Sequence, residues 1–195
     1  LFKLPDRPLP RCVSTRYRFG DLNVSGQKIP LEIVTGDQSA AMFAYGPPES
    51  ETTYVNIGTG AFVQHPFKNY IGGSSNLLTS IVLQDGDELT YVLEGTVNGA
   101  GSALAKIGEE LEVRSEEVRH QLPEWLKNVK SPPLFLNGVS GLGSPFWVPD
   151  FESRFIGEGE NWEKIVAVAE SIVFLMQVNL EEMKKFFSSP EKILI

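Results

Sequence analysis

One cysteine, Cys12, and two histidines, His65 and His120, are all this 195-residue chain has of the residues that build disulfides and most transition-metal sites. A lone cysteine excludes an internal disulfide framework and suits a reducing, cytoplasmic setting. The histidines lie far apart in sequence and no cysteine joins them, so a metal pair is not expected and no metal ligands are assigned. Surface or core positions are expected for both. Positive charge is scarce as well: 17 Lys and Arg against 25 Asp and Glu leave a net charge of -8. No basic cluster stands out, and a reader of phosphate backbones needs one, so nucleic acid is not an expected partner. Apolar runs long enough to span a membrane are missing, so no membrane contact is expected. The opening residues do not read as a signal peptide.

What is present suits a globular domain, with 42% apolar and 22% charged residues. The length fits one good-sized domain or two small ones. The chain opens on Leu1 without methionine and closes on the apolar run "EKILI". A chain that stops in what reads as a core strand is expected to be a fragment of a larger protein.

Residues 1–30 read as proline-rich and irregular, with "LPDRPLPRC" as a linker or extended entry. "PLEIVTG" reads as a short apolar strand and "SAAMFAYG" as a short helix closed by Gly46. "TYVNIGTGAFVQH" alternates around Gly-Thr-Gly and predicts a hairpin, as does "LLTSIVLQDGDELTYVLEG" around Asp85 and Gly86. "GAGSALAKIGEEL" and "SEEVRHQLPEWLKN" are helical in pattern, with Glu109, Glu110 and Glu112 as a solvated face. "PPLFLNGVSG" predicts a buried strand leading into a glycine-rich loop. The final long helix is marked by Trp162, Ile165, Ala169, Ile172, Met176, Met183 and Phe187, a stripe expected in the core. Strands repeatedly precede helices, which predicts an α/β domain.

Glycine clusters carry the functional signal. "TGDQ" (35–38), "NIGTGAF" (56–62), "NGVSGLGSPFW" (137–147) and, more weakly, "EGTVNGAG" (94–101) each place glycine and a polar residue where a strand ends or turns. Such turns let a ligand approach the backbone, and their N–H groups can form an anion-binding nest. Neither the P-loop pattern nor the Rossmann G-x-G-x-x-G is present. Asp37 is the sharpest candidate, and two readings of it are open. It is either a helix N-cap or a reacting carboxylate at a sheet edge, where its position at a helix start would favour the ionised form. Glu94 reads as a satisfied structural carboxylate.

In this order and spacing, "GDQSAAMFAYG", "NIGTGAF", "LEGTVNGAGSAL" and "GVSGLGSPFW" resemble the second domain of the FGGY carbohydrate kinases, in the glycerol-kinase-like branch. The resemblance covers residues 29–195, and residues 1–28 then read as the tail of a preceding domain or a linker. It implies an α/β, ribonuclease-H-like fold of the actin, hexokinase and Hsp70 superfamily, with a mixed sheet and flanking helices. It implies phosphoryl transfer from ATP, with Mg2+, to a hydroxyl of a small polyol or sugar. Asp37 would be the general base, while Gln38 and Phe62 would bind the acceptor. Gly58, Thr59 and Gly60 would face the ATP phosphates, and Gly101 and Leu104 the base and ribose. Trp147 is read as structural. The resemblance also implies a homodimer of the full-length protein. Ala105 stands where glycerol kinases typically place a glutamine near the adenine. The family's adenosine motif would follow "KILI" and is missing, so the fragment alone is expected to be inactive. The alternative is a sugar-kinase-like module that binds a nucleotide or partner without chemistry; retention of Asp37 and Thr59 favours the enzyme.

Overall fold

The computed structural model describes residues 10–72 and 76–195; the start of the expected linker, residues 4–9, lies outside them. Strands β1 (Arg16–Val24) and β2 (Gln27–Ile33) form an antiparallel hairpin turned by Ser25 and Gly26, at φ of 53° and 82°. Positive φ at both turn residues matches the twist of the flanking strands. The irregular reading of residues 1–30 is therefore corrected over this hairpin. Its Ser-Gly signal was outweighed by nearby prolines, but Pro30 is tolerated in a two-stranded ribbon, which has a free side. The boundary drawn at residue 28 falls inside β2.

A short helix, α1 (Asp37–Ala41), leads to the main sheet. Strands β3 (Thr52–Ile57) and β4 (Ala61–Phe67) pair antiparallel across Gly58–Thr59–Gly60. Strands β5 (Leu78–Asp85) and β6 (Glu88–Val97) pair across Gly86 and Asp87, with Gly86 at φ 61°. Both hairpins lie where the alternation placed them. Helices α2 (Gly101–Glu110) and α3 (Ser115–Asn128) follow; α3 covers the whole expected segment, with Pro123 inside it. A two-stranded ribbon, β7 (Leu134–Leu136) with β8 (Arg154–Ile156), precedes the long helix α4 (Asn161–Met183). Strand β9 (Lys192–Leu194) ends the chain.

The five-stranded sheet runs β5-β6-β4-β3-β9, antiparallel except for the β3–β9 edge pair, so it is mixed. The expected core strand "EKILI" is thus an edge strand, with Ile193 exposed. Alternation sorts the side chains of β4 and β6 onto two faces. On one face Val63, Phe67 and Leu93 pack with Met183, and Ala61 and Val97 with Ile172, all burying against α4. Each fully buried large apolar side chain is worth about 1.5–3 kcal/mol. The other face holds Tyr54, Val82 and Val92, covered by Met42 just beyond α1.

The α4 stripe is buried at Ile165, Ile172 and Met183. Val166, Ala167 and Val168 are buried too, because α2 and α3 enclose the helix from the far side of the sheet. Phe187 lies beyond the helix end yet stacks near His65 and Phe67, at centroid distances of 4.4 and 5.4 Å.

Candidate active site

The site grows from the junction of β2 and α1. Gly36 is the extended N-cap residue of α1, and Asp37 is its first helical residue. Asp37 Oδ1 accepts the N–H of its own neighbour Gln38 at 2.8 Å, so the N-cap reading of Asp37 is corrected. The carboxylate is exposed, and its Oδ2 makes no hydrogen bond with the described residues. A five-residue helix is too short to hold itself. Met42, 1% exposed and packed on Tyr54, Val82 and Val92, anchors it to the sheet.

Gln38 is half-buried and turned inward. Its Nε2 donates to Glu94 Oε2 at 2.6 Å, and Gln64 Nε2 donates to the same oxygen at 2.8 Å. Gln64 on β4 and Glu94 on β6 are direct cross-strand partners. Burial raises the Glu94 pKa above the ordinary carboxylate value, while the bonds from Gln64 and Gln38 act to lower it. The expected satisfied carboxylate is thus present, with a feature that sequence reasoning missed: it touches the residue next to Asp37. The available signal was a charge in the apolar strand "YVLEGTV" and an amide in "AFVQHPF". Phe62, half-buried, lies two residues from Gln64 and shares its face of β4, opposite Thr96.

At the start of β4 the Gly-Thr-Gly turn meets α2. The carbonyl of Gly58 accepts the N–H of Gly101 at 2.9 Å. The carbonyl of Thr59 accepts from the N–H groups of Ala100 and Ser102 at 3.0 and 3.1 Å and from the Ser102 hydroxyl at 2.9 Å. The first amides of α2 are therefore spent on the turn. The N–H groups of Thr59 and Gly60 and the exposed Thr59 hydroxyl make no hydrogen bond with the described residues. Beyond the turn, Gly101 and Leu104 line a groove of about 440 Å3 with Ala105 and the α3 residues Val118, Arg119 and Leu122. The structure thus brings Gly58, Thr59, Gly60, Gly101 and Leu104 to one neighbourhood. Asp37 and Gln38 connect to it through Glu94, Gln64 and the length of β4.

The remaining candidates are structural in their contacts. His65 is buried beside Thr53, and burial lowers its pKa. His120 is exposed, as are Glu109, Glu110 and Glu112. Trp147 donates Nε1–H to the Asn76 carbonyl at 2.9 Å.

The Glycerol kinase 1 of Thermotoga maritima is 32% identical to this chain, over 96% of it and 39% of that protein. Over most of its length the chain is similar to a part of the glycerol kinases, and it shares its fold with solved sugar kinases. A glycerol kinase of Halothermothrix orenii is 29% identical over 88% of the chain and 36% of its own length. The Plasmodium falciparum glycerol kinase solved with ADP superposes with a TM-score of 0.73 at 22% identity, over 88% of this chain and 36% of that one. No protein-family model matches the chain. The chain spans about two fifths of the length of the curated relatives it matches. The actin- and hexokinase-like fold expected from the motifs is the fold observed. Among the described residues no helix is long and apolar enough to cross a membrane.

Proposed function

We propose that this chain is the C-terminal, nucleotide-binding part of a cytoplasmic kinase that moves the terminal phosphoryl group of ATP to a hydroxyl of a small polyol or ketose. In this reading residues 29–195 are that domain, and residues 1–28 are the tail of its neighbour or a linker. The observation that carries it is the free carboxylate oxygen of Asp37, linked through Gln38, Glu94 and Gln64 to the strand that begins at the Gly-Thr-Gly turn. Phosphoryl transfer asks for positioning, charge stabilisation and a proton acceptor at the attacking oxygen.

The residues fit ATP. Thr59 and Gly60 offer unspent N–H groups and a hydroxyl to an anion, and the apolar groove along Gly101 and Leu104 has room for a base. Among the described residues no cluster of three or more His, Cys, Asp or Glu could hold a metal ion. Mg2+ brought in with ATP would neutralise phosphate charge in this part of the site. Asp37 would accept the proton of the attacking hydroxyl, Gln38 would orient the acceptor, and Phe62 would lie against its carbon chain. The "GDQ" and "GTGAF" motifs favour glycerol over pentuloses within that class.

The test is ADP release by the protein from its complete reading frame, with Mg-ATP and glycerol, pentuloses, a heptulose or gluconate, beside Asp37→Asn. Turnover on one acceptor, lost in a folded Asp37→Asn variant, is the expected result. An active Asn variant overturns the base assignment. A well-folded protein that turns over none of these acceptors is a binding module instead.

A further inference from the structure

We propose that Glu94 is a positioning residue that fixes which end of the Gln38 amide faces the acceptor. An ionised carboxylate only accepts hydrogen bonds, so an amide touching it must turn its NH2 inward. Two amides do so here on one oxygen, Gln38 Nε2 at 2.6 Å and Gln64 Nε2 at 2.8 Å. With its nitrogen held, Gln38 presents Oε1 on its other side. That oxygen accepts from a hydroxyl and cannot donate to one. The acceptor substrate is therefore held at Gln38 by an O–H that it donates. A ketone or carboxylate oxygen at that point would meet lone pairs.

The hold is a built one. Gln64 is 2% exposed, its Cα is directly opposite that of Glu94, and neither residue can move without disturbing the β4–β6 ladder. Gln38 is 56 residues away in sequence and is the only one of the three on a short helix. Glu94 thus restrains the segment that carries Asp37 as well as the amide. Burial opposes its charge and raises its pKa, and the two amide bonds partly offset that rise.

This inference rests on the kinase reading, and the experiment separates the two. The first measurement is backbone hydrogen exchange over residues 36–42 in wild-type and Glu94→Leu protein. Exchange about tenfold faster in the variant, with the rest of the sheet unchanged, is expected for a lost restraint; unchanged exchange overturns it. The second is steady-state kinetics with glycerol and ATP. Glu94→Gln frees the amide of Gln38 to flip, and kcat/KM for glycerol should fall about tenfold with the KM for ATP unchanged. The double variant Gln38→Glu with Glu94→Gln restores an acceptor oxygen at position 38 and a donor at 94, so it should recover most of that loss, while Gln38→Glu alone should not. Equal losses for glycerol and ATP, or no recovery in the double variant, would reduce Glu94 to a structural carboxylate. A wild-type protein that turns over none of glycerol, the pentuloses, the heptulose and gluconate sinks the kinase reading, and hydrogen exchange then decides the restraint alone.

Discussion

The carbonyl of Gly58 accepts the N–H of Gly101 at 2.9 Å, and a Cβ on Gly101 would lie 2.6 Å from that same oxygen. The Gly-Thr-Gly turn and the start of α2 are therefore one unit, with no space for a side chain between them. Gly101→Ala has to push the turn away from the helix. In the kinase reading this weakens ATP by about tenfold or more while glycerol binding changes little. Isothermal titration with each ligand separately checks it, and an unchanged ATP affinity would show that the turn does not bind phosphate.

Thr59→Val tests the same turn without moving its backbone. The exposed hydroxyl makes no hydrogen bond with the described residues, so its loss leaves no buried group unpaired there and the fold should keep its melting temperature. A lost hydrogen bond to a charged phosphate corresponds to about 1.5–3 kcal/mol, seen as a raised KM for ATP. Equal weakening of ATP and acceptor would leave Thr59 as a hairpin residue only.

Gly95 on β6 faces Asn179 on α4, whose side chain a Cβ on Gly95 would approach to 2.5 Å. Both residues are fully or nearly buried, and Asn179 Oδ1 has no hydrogen-bond partner among the described residues. Gly95→Ala should destabilise the domain by about 1–3 kcal/mol through overpacking. Adding Asn179→Ala opens the space again, so the double variant should melt above Gly95→Ala alone. Strict additivity in denaturant unfolding would show that the two side chains do not share that space.

His65 gives the fold a pH dependence of known sign. Burial lowers its pKa in the folded protein, whereas the unfolded chain titrates near the ordinary value of about 6.5. As pH falls below that value the unfolded state takes up the proton first, so stability present above about pH 6.5 is lost toward lower pH. Glu94 has its pKa raised by burial, so its contribution runs the other way, with stability lost as pH rises above the ordinary carboxylate value of about 4.3. His65→Gln, which keeps a polar partner for Thr53, should flatten the histidine's decline of melting temperature toward lower pH.

Local chemistry carried much of the fold and motif order into the sequence. Alternation around Gly-Thr-Gly and Asp-Gly specified two hairpins, and helical periodicity marked α2, α3 and α4. Apart from Leu104 inside α2, the residues proposed for catalysis and nucleotide contact sit at turns or helix starts, where glycine and small polar side chains leave a readable trace. The β1–β2 hairpin was less legible, because prolines obscured a two-residue turn signal. The sequence also could not say that "EKILI" lies at a sheet edge, since strand order depends on partners far along the chain.

The sequence by itself determined the turns, the helices and the motif order, because these depend on residues within a few positions of one another. Only the tertiary structure decided that Gln38 and Gln64 meet on one oxygen of Glu94, across 56 and 30 residues, and that Gly95 leaves room for Asn179. Those contacts are set by strand register and helix packing. No local pattern contains them, because a strand residue's partner is chosen by the fold of the whole sheet.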